Sequence, residues 1–307
     1  MVSGHATSSG TARYREKFSE FKAAGHFRQS EHVPGMGELW LSSLGIGTYL
    51  GETDEQSDQA YTEAITHALR SGINVVDTAI NYRNQRSERN VGSALKQLIG
   101  AGELARDEVL VCTKAGYMPF DSNVPSDPSA YLRLEYVESG IAPMSEVAGG
   151  MHCMAPSYLA DQIERSRRNL GMGTVDVFYV HNPETQLGHV SQETFYERVH
   201  RAFEFLEHAV QENKIRWYGA ATWNGFRANP ADQAFLSLER FVATAKEVAG
   251  EEHHFRFVQL PFNLAMLEAY AYGNQMKDGE AGSVLQQASE FGIAVIASGT
   301  LYQGNLG

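Results

Sequence analysis

Apolar residues in this chain gather into short runs that recur at intervals, separated by stretches with the mixed polar and apolar spacing of amphipathic helices. The runs lie at 41–48, 73–78, 109–114, 175–181, 215–221, 257–260 and 293–298, and each ends in or beside a small or reactive residue. The stretches between them predict helices near 57–71, 87–99, 157–170, 194–213, 233–249 and 281–291. Several stop at glycine, as in Arg70-Ser71-Gly72 and Glu290-Phe291-Gly292, a common helix terminator. Val, Ile and Leu runs alternating with helices predict a parallel sheet covered on both faces.

Seven such strands fit two architectures. One is an open doubly wound sheet; the other is a TIM-type (β/α)8 barrel with the last βα unit missing from the chain. The residues at the C-terminal strand ends decide between them. Gly47-Thr48-Tyr49 follows the first run, and Asp77-Thr78-Ala79 ends the second, with Tyr82 five residues past the Asp. Lys114 ends the third, His181 the fourth and Ser298 the seventh; Thr222 follows the fifth, and Gln259 lies near the end of the sixth. A barrel brings all these ends to one face, where barrel enzymes hold their active sites. An open sheet would spread them along an edge, so the barrel is the expected fold.

The residue types suggest proton delivery to a carbonyl group. A tyrosine hydroxyl has a pKa of about 10 and gives up its proton more readily when a cation stabilises its anion. Lys114 can supply that charge, Asp77 can hold the lysine, and His181 can orient a carbonyl oxygen toward Tyr82. A structural ion pair between Asp77 and Lys114, with a loop histidine beside it, is the plainer alternative.

At these residues the chain resembles a known family. The run DTAINYRNQRSERNVGSAL at 77–95 is similar to the D-T-A-x-x-Y…S-E…G-x-x-L signature of aldo/keto reductases. VCTKAGY around Lys114 resembles their strand-three lysine motif, and VDVFYVHNPE around His181 their D-x-x-x-x-H-x-P motif. SSLGIGTY, KIRWYGAATWN, VQLPFNL and IASGTLYQGNL resemble the first, fifth, sixth and seventh strands, in order, from about residue 41 onward. The resemblance implies an oxidoreductase that reduces aldehydes or ketones by hydride transfer. Tyr82 would be the general acid, Asp77 and Lys114 would tune it, and His181 would position the carbonyl. Gly47, Thr48, Asp77, Thr222, Gln259, Ser298 and Leu301 would bind the cofactor. NADPH is expected from the family's habit, with NADH left open, because the residues that grip the 2′-phosphate lie after strand eight. The fifth motif departs from the pattern: Ala221-Thr222 stands where members commonly carry Ser-Asn. A cofactor-sensing or regulatory subunit with little turnover is the alternative function.

Other chemistries fit less well. Gly45, Gly47 and Gly51 loosely imitate a dinucleotide-binding turn, but Leu50 stands where the G-x-G-x-x-G spacing needs glycine. There is no H-E-x-x-H motif for a metal hydrolase. His152-Cys153 is an adjacent pair of a kind that is usually neither ligand nor site, and His253-His254 is expected to be solvated at the opposite end of the barrel.

Composition narrows the setting. A net charge of −12 argues against nucleic acid and anionic membranes as partners, leaving a small carbonyl compound. Two cysteines, Cys112 and Cys153, suit a reducing compartment, and the polar start lacks a secretory signal, so the expected location is cytoplasmic. Residues 1–40 are expected to form an extension before the 41–307 barrel. An insertion at 115–156 is expected to act as a lid, with Tyr117, Phe120, Tyr131, Tyr136, Met144 and Met151 shaping a pocket for a bulky substrate. Trp223 and Phe226 are expected to add a second aromatic wall. Only Gly299 to Gly307 follow the seventh run, too few for a closing unit, so the chain is expected to be a fragment with unpaired sheet edges.

Overall fold

The structure, a computed structural model, describes residues 1–304. Its main sheet holds seven parallel strands: β1 (Ile46–Gly47), β2 (Val75–Asp77), β3 (Leu110–Ala115), β4 (Val175–His181), β5 (Ile215–Ala221), β6 (Phe255–Pro261) and β7 (Ala294–Ser298). Their order in the sheet is their order in the chain. Helices α1 (Glu55–Arg70), α2 (Arg86–Gly100), α3 (Pro156–Leu170), α4 (Gln192–Gln211), α5 (Leu238–Ala249) and α6 (Val284–Glu290) connect them.

Local chemistry sets the helix ends. Asp54, Ser191, Ser237 and Ser283 each accept an amide proton from the first turn of α1, α4, α5 and α6. Pro156 opens α3, where its missing N–H costs nothing, and Gly171 closes it at φ 67°. Two helices start later than the polar pattern predicts. Ser237 caps α5, and residues 275–282 before α6 form an antiparallel pair, Gln275–Lys277 with Glu280–Gly282. The first apolar run is also divided: Leu41–Ser42 pairs with Phe27–Arg28, and only Ile46–Gly47 joins the sheet.

The sheet curls into a barrel wall. Gln259 Nε2 on β6 donates to Asp77 Oδ1 on β2 at 2.9 Å. Four strand spacings separate those strands, about 19 Å on a flat sheet. Alternation along the strands then sorts the faces. Val75, Leu110, Cys112, Val177, Tyr179, Trp217, Phe257 and Ala294 form an interior cluster, while Val76, Val111, Phe178, Tyr218 and Val258 pack under the helices. Asp77, Lys114, His181 and Gln259 each lie two residues past an interior apolar residue. Period two therefore aims them inward at the C-terminal mouth.

Residues 1–40 seal the opposite end. Ala6, Val33, Met36 and Leu39 join the interior cluster, and the Ala6 amide donates to Asp176 at 2.7 Å. Tyr14 is buried and donates to Leu69 O at 2.5 Å. Glu108 receives Arg13 at 3.1 Å and Lys17 at 2.8 Å. His253, expected to be solvated, is buried against Arg256 at the start of β6, whose Nη1 lies 3.2 Å from its Nε2. Its neighbour His254 meets Glu207 at 2.7 Å.

Between β3 and α3 the chain leaves and returns side by side. The Met118 amide donates to Met151 O at 2.8 Å and the Cys153 amide to Gly116 O at 2.9 Å. Among the described residues no ladder joins β1 to β7.

Candidate active site

At the mouth, Lys114 Nζ donates to Asp77 Oδ2 at 2.7 Å and to Thr78 O at 2.8 Å, and lies 4.9 Å from the centre of the Tyr82 ring. Asp77 is shared, since its other oxygen accepts from Gln259. The His181 ring meets the Tyr82 ring edge-on at a centroid distance of 5.8 Å. Tyr49 meets the Tyr82 ring edge-on at a centroid distance of 5.0 Å.

The electrostatics leave each group in a definite state. Burial raises the Tyr82 pKa; Lys114 opposes this, Asp77 adds to it, and the net direction is upward. The tyrosine therefore holds its proton in the free protein, and the lysine limits the upward shift without reversing it. Burial works against the charge on Lys114, but Asp77 and Tyr82 outweigh it and raise its pKa. Burial pushes His181 well below the usual imidazole range, with Lys114 and His152 acting in the same direction. His181 is neutral.

The backbone after Tyr82 is held in an uncommon form. Arg83, Asn84 and Gln85 all have positive φ, at 48°, 54° and 71°. For residues other than glycine this is costly and persists only when side chains enforce it. Arg83 does so by bonding Glu52 O at 2.7 Å, Asn90 at 2.8 Å and Asp58 at 2.8 Å.

The expected cofactor residues lie around the same mouth with unequal freedom. Gly47 faces open space where a Cβ would stand. Thr48 is buried, and its hydroxyl already donates to Thr78 Oγ1 at 2.8 Å, bracing β1 on β2. Among the described residues the buried Thr222 Oγ1 has no hydrogen-bond partner, and neither has His181 Nδ1. Ser298 is half-buried at the end of β7, and Leu301 is 71% exposed. Glu184 Oε1 gathers the amides of Trp223, Asn224 and Gly225 at 2.8, 3.1 and 3.3 Å, fixing the turn after Thr222.

Several aromatic expectations change. Tyr117 reaches the site, 5.7 Å from the His181 ring. Tyr136 is instead buried against Tyr158, and Phe226 against Phe241, because both face helices and not the mouth. Trp223 is 44% exposed beside the site. His152, set aside on sequence, is buried with Nε2 2.7 Å from His181 O. Its distance from every apolar run hid it. Among the described residues, no three His, Cys, Asp or Glu side chains are grouped to hold a metal ion.

Comparison with known proteins gives the family and the fold of the chain. The profile of the Aldo/keto reductase family matches residues 43–307. A putative voltage-gated potassium channel subunit beta from Schizosaccharomyces pombe is 25% identical over 214 residues, covering 68% of this chain and 51% of that protein. The NADH-specific methylglyoxal reductase of Escherichia coli is 27% identical over 199 residues, covering 61% of this chain and 50% of its own length. The chain thus spans about half the length of these curated relatives. An aldo/keto reductase from Klebsiella pneumoniae, solved with NADP and acetate, superposes with a TM-score of 0.54 at 19% identity, over 87% of this chain and 67% of that one. An aldo-keto reductase from Bacillus halodurans gives 0.55 at 19% identity, over 91% and 67%. With the profile matched along most of its length, the chain belongs to the aldo/keto reductase family.

Proposed function

We propose that this chain, within its family's oxidoreductase chemistry, reduces an aldehyde or ketone to an alcohol, with Tyr82 as proton donor and NADPH as the expected cofactor. The observation that carries the reading is the convergence of Lys114, Asp77, Tyr82 and His181 at the mouth, with Lys114 2.7 Å from Asp77 and 4.9 Å from the Tyr82 ring. The residues present fit a flat, amide-bearing ring. Gly47 leaves its space open, and the Thr222 hydroxyl is buried without a partner among the described residues. Asp77 and Gln259 add polar groups beside it.

When bound, the nicotinamide supplies a hydride for the carbonyl carbon. Tyr82 gives its proton to the carbonyl oxygen, and the O–H electron pair stays on the phenolate. Lys114 stabilises that phenolate until solvent restores the proton, and Asp77 keeps the ammonium in place. His181, neutral, orients the oxygen. General acid catalysis of this kind contributes about 10²–10⁴-fold. Trp223, Tyr49 and Tyr117 would border an apolar substrate.

Cofactor choice is part of the proposal: the relative in Escherichia coli is named as NADH-specific, and the Klebsiella structure holds NADP. A cytoplasmic setting is proposed with it; no helix among the described residues is long and apolar enough to cross a membrane. A second reading, a cofactor-binding regulatory subunit, draws on the relative named as a potassium channel subunit. One experiment separates them. The chain is titrated with NADPH and NADH by tryptophan fluorescence, and cofactor oxidation is followed with a panel of aldehydes and ketones. Turnover supports the reductase; tight binding without turnover supports the regulatory reading.

A further inference from the structure

Both ends of the 116–155 segment converge on the main chain of His181. Tyr117 and His152 form a bridge between the two arms, and their rings meet edge-on at 5.1 Å. His152 Nε2 lies 2.7 Å from His181 O. On the other side of the imidazole, Gln186 Nε2 donates to Nδ1 at 2.9 Å, and Arg198 donates to Gln186 Oε1. The direction of this chain is forced. A guanidinium can only donate, so Gln186 turns its oxygen to Arg198 and its NH₂ to His152. Nδ1 must then accept, which leaves the imidazole proton on Nε2, aimed at the His181 carbonyl. Arg198 is held in turn by Ser145 O at 2.5 Å and by Glu146 at 3.2 Å.

Two further observations point the same way. A Cβ on Gly116, just past β3, would stand 2.4 Å from His181 O and 2.7 Å from His152 Nε2. The space beside this hydrogen bond therefore admits only glycine. Among the described residues the buried Nδ1 of the His181 ring has no partner, so none of them fixes its orientation through that nitrogen. The ring depends on its own backbone and on edge contacts with Tyr82 and Tyr117 at 5.8 and 5.7 Å.

We propose that His152 is a positioning residue for the carbonyl-reducing site. Through an Nε2–H proton imposed by Gln186 and Arg198, it holds the His181 carbonyl and so fixes the His181 imidazole against Tyr82. The inference rests on the proposed reductase function. The charged and titratable groups around His152 are Arg198, His189, His181 and Tyr117. Burial lowers its pKa to about 4, the His181 carbonyl opposes this, and Arg198 and His189 add to it. The ring stays neutral, in one tautomer, through the neutral range.

The test compares His152→Phe, His152→Gln and Gln186→Met with the parent chain. His152→Phe keeps a ring but loses the donor, and kcat should fall about 10–100-fold, as when a supporting contact behind a reacting group is removed. NADPH affinity should hold. His152→Gln, whose amide can donate to the same carbonyl and accept from Gln186, should regain most of the loss; a purely structural role would not be rescued in kcat. Gln186→Met decides the matter where the Phe variant does not fold, and should lower kcat in the same way. Parent-like kcat in a folded Phe or Met variant overturns the proposal. Nitrogen-15 NMR of labelled histidines gives a readout independent of turnover. His152 should show Nε2–H and unprotonated Nδ1, and the His181 ring signals should shift in the variants. An Nδ1–H tautomer, or unmoved His181 signals, overturns the proposal even if the parent turns over. If the parent turns over nothing while the NMR result holds, the reductase reading fails and the positioning chain stands.

Discussion

Tyr82 has a single hydroxyl and a raised pKa, the combination of a group that keeps its proton until a developing oxyanion takes it. Tyr82→Phe should lower kcat for aldehyde reduction by about 10²–10⁴-fold while cofactor affinity holds. Near-parent kcat in that variant would remove Tyr82 from the role. The sign of its pH dependence follows from the raised pKa. The donor form is full at neutral pH and is lost only as pH rises past the tyrosine range, above about 10. A kcat profile for the reduction step, measured in single turnover, should therefore show no alkaline fall near pH 8 in the parent chain. Lys114→Met and Asp77→Asn should each reduce kcat, and the double variant should lose much less than the product of the single losses. The 2.7 Å pair acts as one unit, and such units are not additive. Multiplicative losses would mean independent structural roles. At this scale the sequence was informative wherever chemistry ended an apolar run, as at Asp77, Lys114 and His181. It set His152 aside and gave no sign of Gln186, whose bonds run to a main-chain carbonyl, to each other and to Arg198; no spacing records such contacts.

The elements explain why one long insertion has two characters. Tyr117, next to Gly116, reaches His181, whereas Tyr136 sits in the helix-side core with its hydroxyl on Pro119 O at 2.7 Å. Amino-acid type cannot separate those fates, because both are tyrosines of the same insertion. The pinch between Met118 and Met151 separates them by dividing a base that serves the site from an excursion that packs on α3. Tyr136→Ala should therefore cost about 3–5 kcal/mol of stability, as for other large aromatic truncations in cores. It should leave kcat and KM nearly unchanged. Thermal melting and steady-state kinetics on the same preparation check both halves; a raised KM for bulky carbonyls with an unmoved Tm would restore Tyr136 to a lid role. Strands β2 to β7 and the six helices were legible because burial on both faces writes continuous apolar runs and amphipathic spacing writes helices. The division of 41–48 was not, since Leu41–Ser42 pairs with Phe27–Arg28 from the N-terminal region.

Across the whole molecule, burial falls from the middle of the sheet to its margins. All seven residues of β4 are buried, whereas in β7 Val295, Ile296 and Ser298 are half-buried and Ala297 is exposed. Val295 and Ile296 thus forgo part of the roughly 1.5–3 kcal/mol that full burial of such a side chain provides. The order of the motifs made the strand order readable, and the partly exposed β7 at the end of the sheet agrees with the unpaired edges expected from the sequence. An unprotected strand edge offers unpaired backbone groups to another strand, and lysine is a common natural guard against that. The 1–307 chain should therefore associate with itself as concentration rises, and Ala297→Lys should reduce the association, because a charge at this exposed position on β7 would have to be desolvated between two edges. Sedimentation velocity over a concentration series measures both, with Ala243→Lys on the exposed face of α5 as a control for the same added positive charge. An equal effect of the two lysines would assign the association to net charge, and a parent chain that stays monomeric at every concentration would show that the margin of β7 is already protected.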